Sequence, residues 1–188
     1  PGLSGRDLSA YIAAGIGSDH ECTSIEEARE KIRSGMHIML REGSAAKNLR
    51  DQLPLVTAKN AGRFLFVSDD RHPADLLGQG HIDFMVRTAV EQGMEPIMAM
   101  QMASINAARY FGLSHLGAVA PGYRADIVIL DSLESLHPVK VIKDGARVAE
   151  EGRLCVNLKP AGGAAVRSMN IAPLGPASFA IAAQPGPA

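Results

Sequence analysis

Short apolar runs of strand length alternate with amphipathic stretches of helical period over residues 1–112, and nothing else in the chain limits its fold as much. Ser4 and Asp7 make a capping-type start to a first helix with Leu8, Tyr11 and Ile12 on one face, and Gly15 ends it. A strand ending at His20 follows. Thr23 with Glu26, and Ser24 with Glu27, both have the spacing of a capping box, and Ile25, Ala28 and Ile32 continue at helical intervals up to Gly35. MHIML at 36–40 is the second strand, residues 45–52 are predicted helical, and RFLFVSDD at 63–70 carries the third strand. Ile82, Met85, Val86, Ala89 and Val90 form a helical stripe ended by Gly93, and Pro96 opens a helix predicted to run to about Tyr110. Strand and helix in turn, joined by short loops, is the pattern of parallel βα units.

Polar side chains crowd the points where these strands stop. GIGSDHECTS at 15–24 puts Ser18, Asp19, His20, Glu21 and Cys22 in a row, Arg41-Glu42-Gly43-Ser44 follows the second strand, and Asp69-Asp70-Arg71-His72 follows the third. In a (β/α)8 barrel the C-terminal ends of the strands carry the active site, so the crowded ends are predicted to share one barrel mouth.

From 113 the pattern changes. RADIVILD at 124–131 and VKVIKDGARVAEEG at 139–152 alternate like strands, the second turning at Asp144-Gly145, and residues 113–156 are predicted to form part of a small β-sandwich. Residues 157–188 are rich in Ala, Pro and Gly and predict a linker or tail.

Composition excludes several functions. The formal net charge of −1 gives no electrostatic basis for binding nucleic acid or an anionic membrane. No apolar run reaches the roughly 20 residues of a membrane span. Two widely spaced cysteines, Cys22 and Cys155, provide neither a disulfide framework nor a Cys-x-x-Cys motif, which points to a reducing, cytoplasmic setting. They also exclude the cytidine-type zinc deaminase centre, which needs Pro-Cys-x-x-Cys. The chain opens Pro-Gly-Leu-Ser without an initiator Met, as if it continued a longer sequence.

SDHECTSIEEAREK, REGSAAKN, FVSDDRHP, SINAARYFGL and GAVAPGYRADIVILD, in this order and spacing, resemble the adenine deaminase family of the amidohydrolase superfamily. The resemblance implies the C-terminal part of a metal-dependent (β/α)8 barrel, strands six to eight, followed by the first strands of a β-sandwich. The first-strand His-x-His, the fourth-strand ligand and the fifth-strand histidine of the family are then expected outside this sequence. Three barrel strands alone leave two edges with unpaired backbone groups, so the missing strands are expected to be supplied in the working molecule.

The implied reaction is hydrolytic deamination of adenine to hypoxanthine and ammonia. A bound metal lowers the pKa of water from about 15.7 to about 7, which makes a nucleophile available at neutral pH. One carboxylate can then take the water's proton and deliver it to the leaving ammonia. By the resemblance His20 binds metal or orients substrate, and Asp69, the acid directly after Ser68, is both metal ligand and proton shuttle. Arg71, His72 and Glu42 are candidates for substrate binding. By the resemblance the implied cofactor is a divalent metal in a binuclear site, Mn, Fe or Zn by ligand type. The expected partner is a small purine, and a homo-oligomer is expected. Each residue also has a plainer reading: His20 as a surface imidazole, Asp69 as a turn cap, Arg71 and His72 as loop residues, Cys22 as a buried inert thiol. Two other functions share the same residues, a hydrolase of cyclic amides or N-acyl groups and a non-catalytic scaffold.

Overall fold

A computed structural model describes residues 2–158 and 170–181. Up to Val156 the described chain is one compact unit, and the described residues beyond it belong to a second. In the first unit, β1 (Ser18–Asp19), β2 (His37–Arg41) and β3 (Phe64–Val67) make a parallel sheet in that order. Ser18 lies opposite His37, and Arg41 opposite Val67. Among the described residues β1 and β3 have a strand neighbour on one side only.

The helices are α1 (Gly5–Ala13), α2 (Ile25–Arg33), α3 (Leu49–Gln52), α4 (Pro73–Gly78), α5 (Ile82–Glu91), α6 (Pro96–Ala103) and α7 (Ile105–Tyr110). Helix α2 starts as its spacing predicts. Ser24 accepts the Glu27 N–H at 3.2 Å, while the Glu27 carboxylate turns back to the Thr23 N–H at 3.2 Å. Gly35, at φ +92°, then turns the chain into β2. Phe64, Leu65 and Phe66 are all buried, as expected of a strand covered on both faces. Helices α5, α6 and α7 pack on β3, and α2 and α3 on β2. Ile38, Leu40, Phe64, Phe66, Met85, Ala89, Ala99 and Met102 belong to one buried cluster.

Two helices differ from the sequence expectation. The helix predicted over 45–52 is reduced to α3, because Asn48 directs its side chain at the backbone of the two neighbouring strand ends instead of continuing a helical turn. The helix predicted from Pro96 to Tyr110 is broken at Ser104, whose backbone sits at φ −134° and ψ −87° and whose hydroxyl donates to the Met100 carbonyl at 2.6 Å.

After α7 comes a four-stranded antiparallel meander of β4 (Ile127–Leu130), β5 (Pro138–Lys143), β6 (Ala146–Glu150) and β7 (Arg153–Leu154). Asp144 at φ +51° and Gly145 at φ +79° form the predicted β5–β6 turn; two consecutive left-handed residues match the twist of the flanking strands. In the tail, much of the Ala/Pro/Gly-rich stretch lies outside the described residues, and 170–181 holds one short 3-10 turn at Pro176–Phe179. No helix among the described residues is long and apolar enough to cross a membrane.

Candidate active site

The site is built at the C-terminal ends of the three parallel strands. His20 and Glu21 follow β1, Arg41 closes β2, and Asp69 lies two residues past β3. One ligand atom each from His20, Glu21 and Asp69 falls within 4.8 Å of the other two. Of the five residues singled out by sequence, His20 and Asp69 are thus brought together, although 49 positions separate them in the chain (69 − 20 = 49). Asp69 has φ +52°, in the left-handed region that Asp tolerates better than most residues. That conformation ends the extended run of β3 before α4 begins. Backbone held in a sparsely populated region is frequent at functional sites.

Arg41 ties the triad together. It is buried, and its Nη1 donates to Glu21 Oε1 at 2.7 Å and to Asp69 Oδ2 at 3.0 Å. His20 Nε2 lies 3.1 Å from the same Glu21 oxygen. The Arg41 guanidinium holds the Glu21 carboxyl below its usual range.

Asn48 fixes the strand ends from behind. Its Oδ1 accepts the Arg41 N–H at 2.7 Å, and its Nδ2 donates to the carbonyls of His20 at 3.1 Å and Cys22 at 3.3 Å. Gln52, also buried, donates to the Cys22 carbonyl at 2.6 Å. Below this layer, Lys31 is fully buried with its ammonium 2.5 Å from both Asp19 Oδ2 and Glu27 Oε1. Asp19 Oδ1 accepts the Glu21 N–H at 2.5 Å, which links the buried pair to the mouth.

Two acid-rich clusters therefore sit side by side, and only one suits a metal. Asp19, Cys22 and Glu27 also converge within 4.8 Å, but they are largely buried around the Lys31 ammonium, whereas the acids that Arg41 meets face an open mouth. Burial pushes the Cys22 thiol up to about 12, so it stays protonated and is a poor ligand. The His20, Glu21 and Asp69 group is open to solvent and offers one imidazole and two carboxylates, a donor set that fits a divalent cation.

Glu42, Arg71 and His72 lie outside this triad, on the loops beside it. Glu42 is buried and pairs with Lys47 at 3.5 Å. Arg71 donates to the carbonyls of Glu42 and Gly80 at 3.1 and 2.9 Å and to Gln79 Oε1 at 2.7 Å, with its guanidinium 4.7 Å from the Phe84 ring centre. His72 is exposed, and its backbone N–H donates to Ser44 Oγ at 2.8 Å. Asp70 likewise serves the loop. It accepts the Ala45 N–H at 3.1 Å, which holds its carboxyl below the usual range, and it lies so close to Gly43 that a Cβ there would sit 1.8 Å from Asp70 Oδ1.

Glu21, Arg41 and Asn48 have no assigned role in the sequence reading. The one available signal is Arg41 itself, a charged residue at the end of an otherwise apolar strand.

Comparison with known proteins identifies the family. The model of the family described as "Amidohydrolase family" matches residues 3–149. Adenine deaminase of Kosmotoga olearia is 51% identical over 158 residues, 84% of this chain and 27% of the relative. Adenine deaminase of Desulfatibacillum aliphaticivorans is 55% identical over 152 residues, 81% and 27% of the two chains. Adenine deaminase 2 of Carboxydothermus hydrogenoformans is 51% identical over 185 residues, 98% and 32%. The chain therefore spans between 27% and 32% of the length of these relatives. Among solved structures, β-aspartyl dipeptidase of Fervidobacterium islandicum matches with a TM-score of 0.62 at 21% identity, over 84% of this chain and 48% of that one. N-acetyl-D-glucosamine-6-phosphate deacetylase of Mycobacterium smegmatis matches at 0.52 and 18%, over 76% and 51%. At these identities the two structures speak for the fold alone.

Proposed function

Because the chain belongs to the amidohydrolase family, we propose that its three strand ends form one side of a metal-dependent site that hydrolyses adenine to hypoxanthine and ammonia. The observation that carries the reading is the convergence of His20, Glu21 and Asp69 within 4.8 Å at the ends of β1 and β3. The substrate assignment rests on identities of 51% to 55% with adenine deaminases.

His20 and Asp69 are the residues that would hold a divalent metal, Mn, Fe or Zn by their chemistry, with Glu21 beside them. When bound, such a metal acidifies water and polarises the purine ring, which lets attack proceed at neutral pH. Asp69 takes the proton of the attacking water on a carboxylate oxygen and delivers it to the departing ammonia. Asp70 is poorly suited to this task, since its carboxylate is spent on the 44–46 backbone. Arg41 stays charged at all working pH and so orients Asp69 without competing for its proton. Of the three residues first considered for substrate binding, His72 has the exposed side chain, which leaves it as the candidate for contact with the purine. Arg71 and Glu42 act through the loops they hold. The free cysteines Cys22 and Cys155 support a reducing, cytoplasmic setting, and a purine-salvage role follows from the reaction.

The test is to supply the full-length protein with Mn²⁺, Fe²⁺ or Zn²⁺ and follow hypoxanthine and ammonia from adenine. N-acyl and cyclic amide substrates run in parallel. Equimolar hypoxanthine and ammonia support the reading. Turnover of amides alone would assign the site to another amidohydrolase reaction.

A further inference from the structure

Among the described residues Arg41 is the one charged side chain that contacts acids on both sides of the mouth. It is buried to 8% exposure at the end of the middle strand, while the acids it contacts, Glu21 and Asp69, have side chains 44% and 36% exposed. Those acids could be solvated on their own. The buried guanidinium cannot be, and a buried charge is costly unless paired. The need for pairing therefore fixes the acids to Arg41, and not the reverse.

The base of the arm is rigid. Asn48 grips the Arg41 backbone at two points, accepting its N–H through Oδ1 at 2.7 Å and donating its own N–H to the Arg41 carbonyl at 2.9 Å. The same Asn48 amide holds the His20 carbonyl. Among the described residues the Arg41 Nε has no hydrogen-bond partner, and the guanidinium's hydrogen bonds go to the two acids through Nη1. On the far side Glu21 is backed by Asp19 and Lys31. One nitrogen, Nη1, at the end of an arm with a fixed base spans the two loops, and the shorter, strongly hydrated ammonium of a lysine reaches that point less well.

We infer that Arg41 is a positioning residue, a clamp across β2 that sets the separation of the Glu21 and Asp69 carboxylates and so the geometry of the group that receives metal. The inference rests on the reading of the His20, Glu21 and Asp69 group given above. Removing an outer partner of a metal ligand typically costs about 10–100-fold in metal affinity or activity. In the metal-loaded full-length protein, Arg41→Ala lowers adenine kcat by that factor with KM changed only a few-fold. It also releases metal at a correspondingly lower chelator concentration, read by elemental analysis. Millimolar guanidinium, far below denaturing levels, restores part of both losses by filling the vacated space. Arg41→Lys keeps the buried charge and the fold, shows intermediate losses, and gains nothing from guanidinium.

Wild-type kcat and wild-type metal retention in either variant overturn the clamp, as do losses in Arg41→Ala that guanidinium leaves unchanged. Where Arg41→Ala does not fold, Arg41→Lys decides alone. A wild-type protein that retains metal but leaves adenine untouched overturns the purine reading instead, while the chelator comparison still decides the role of Arg41.

Discussion

Replacing Asn48 by alanine removes three hydrogen bonds from a residue that is 6% exposed, and their costs differ. The Cys22 carbonyl keeps its bond from Gln52 at 2.6 Å, and His20 is exposed enough for water to replace its lost donor. The Arg41 N–H has no such recourse, since Asn48 Oδ1 is its acceptor at the end of β2. Leaving one buried donor unmet costs about 1–3 kcal/mol, and each net hydrogen bond lost adds about 0.5–1.5 kcal/mol. A total near 2–3 kcal/mol is expected for Asn48→Ala on these values. With a urea m-value of about 1–3 kcal/mol/M, the unfolding midpoint falls by about 1 M or more. Arg50→Ala, nearby and exposed with no ion pair among the described residues, is the control and should stay within about 0.5 kcal/mol of wild type. Urea unfolding followed by circular dichroism makes the comparison. A midpoint for Asn48→Ala indistinguishable from that of Arg50→Ala would refute the claim that Asn48 joins the strand ends.

Two further outcomes follow from the buried cluster beneath the site. Thiol titration with a disulfide reagent at pH 8 should modify Cys155 at once and leave Cys22 untouched until denaturant is added, because burial holds the Cys22 thiol near 12; rapid reaction of both thiols in the native protein contradicts this. Burial tends to raise the Glu27 carboxyl, but the Lys31 ammonium and the Gly2 and Thr23 N–H groups outweigh it and hold it below its ordinary value of 4.5. Its contribution to stability is therefore present above that value and lost as pH falls through the lower folded one, and Glu27→Gln should flatten the acid limb of a stability–pH curve; an unchanged limb would count against the pairing.

Local chemistry carried much of the architecture. The Ser24 and Glu27 spacing, the apolar stripes and the Asp144-Gly145 pair each act over a few residues, and each appears in the structure as its spacing predicts. The strand-end clusters also read correctly as neighbours, because parallel βα units bring successive C-terminal ends together. Other features depend on partners remote in sequence. Residues 45–48 have acceptable helix formers, yet the Asn48 amide is recruited by His20 and Cys22, which no window around 48 contains. Ser104 breaks a run that is apolar on both sides, so periodicity could not mark it. Arg41 could be seen as an odd charge at a strand end, but its two acids lie 20 and 28 positions away, on different strands. The left-handed backbone of Asp69, which distinguishes it from Asp70 structurally, has no sequence mark beyond the tolerance of Asp for that region.

Proton transfer at the mouth depends on Asp69, and one paired measurement tests that role. The steady-state rate of ammonia release from adenine is compared for the metal-loaded full-length protein, its Asp69→Asn variant and its Asp70→Asn variant, with circular dichroism confirming equal folding. A general acid–base group contributes about 10²–10⁴-fold, so Asp69→Asn should fall by at least that lower factor while Asp70→Asn keeps most of its turnover. Asp69→Asn retaining more than about a tenth of wild-type turnover, a loss too small for such a group, would contradict this role, and an inactive Asp70→Asn beside it would move the proton shuttle to that residue.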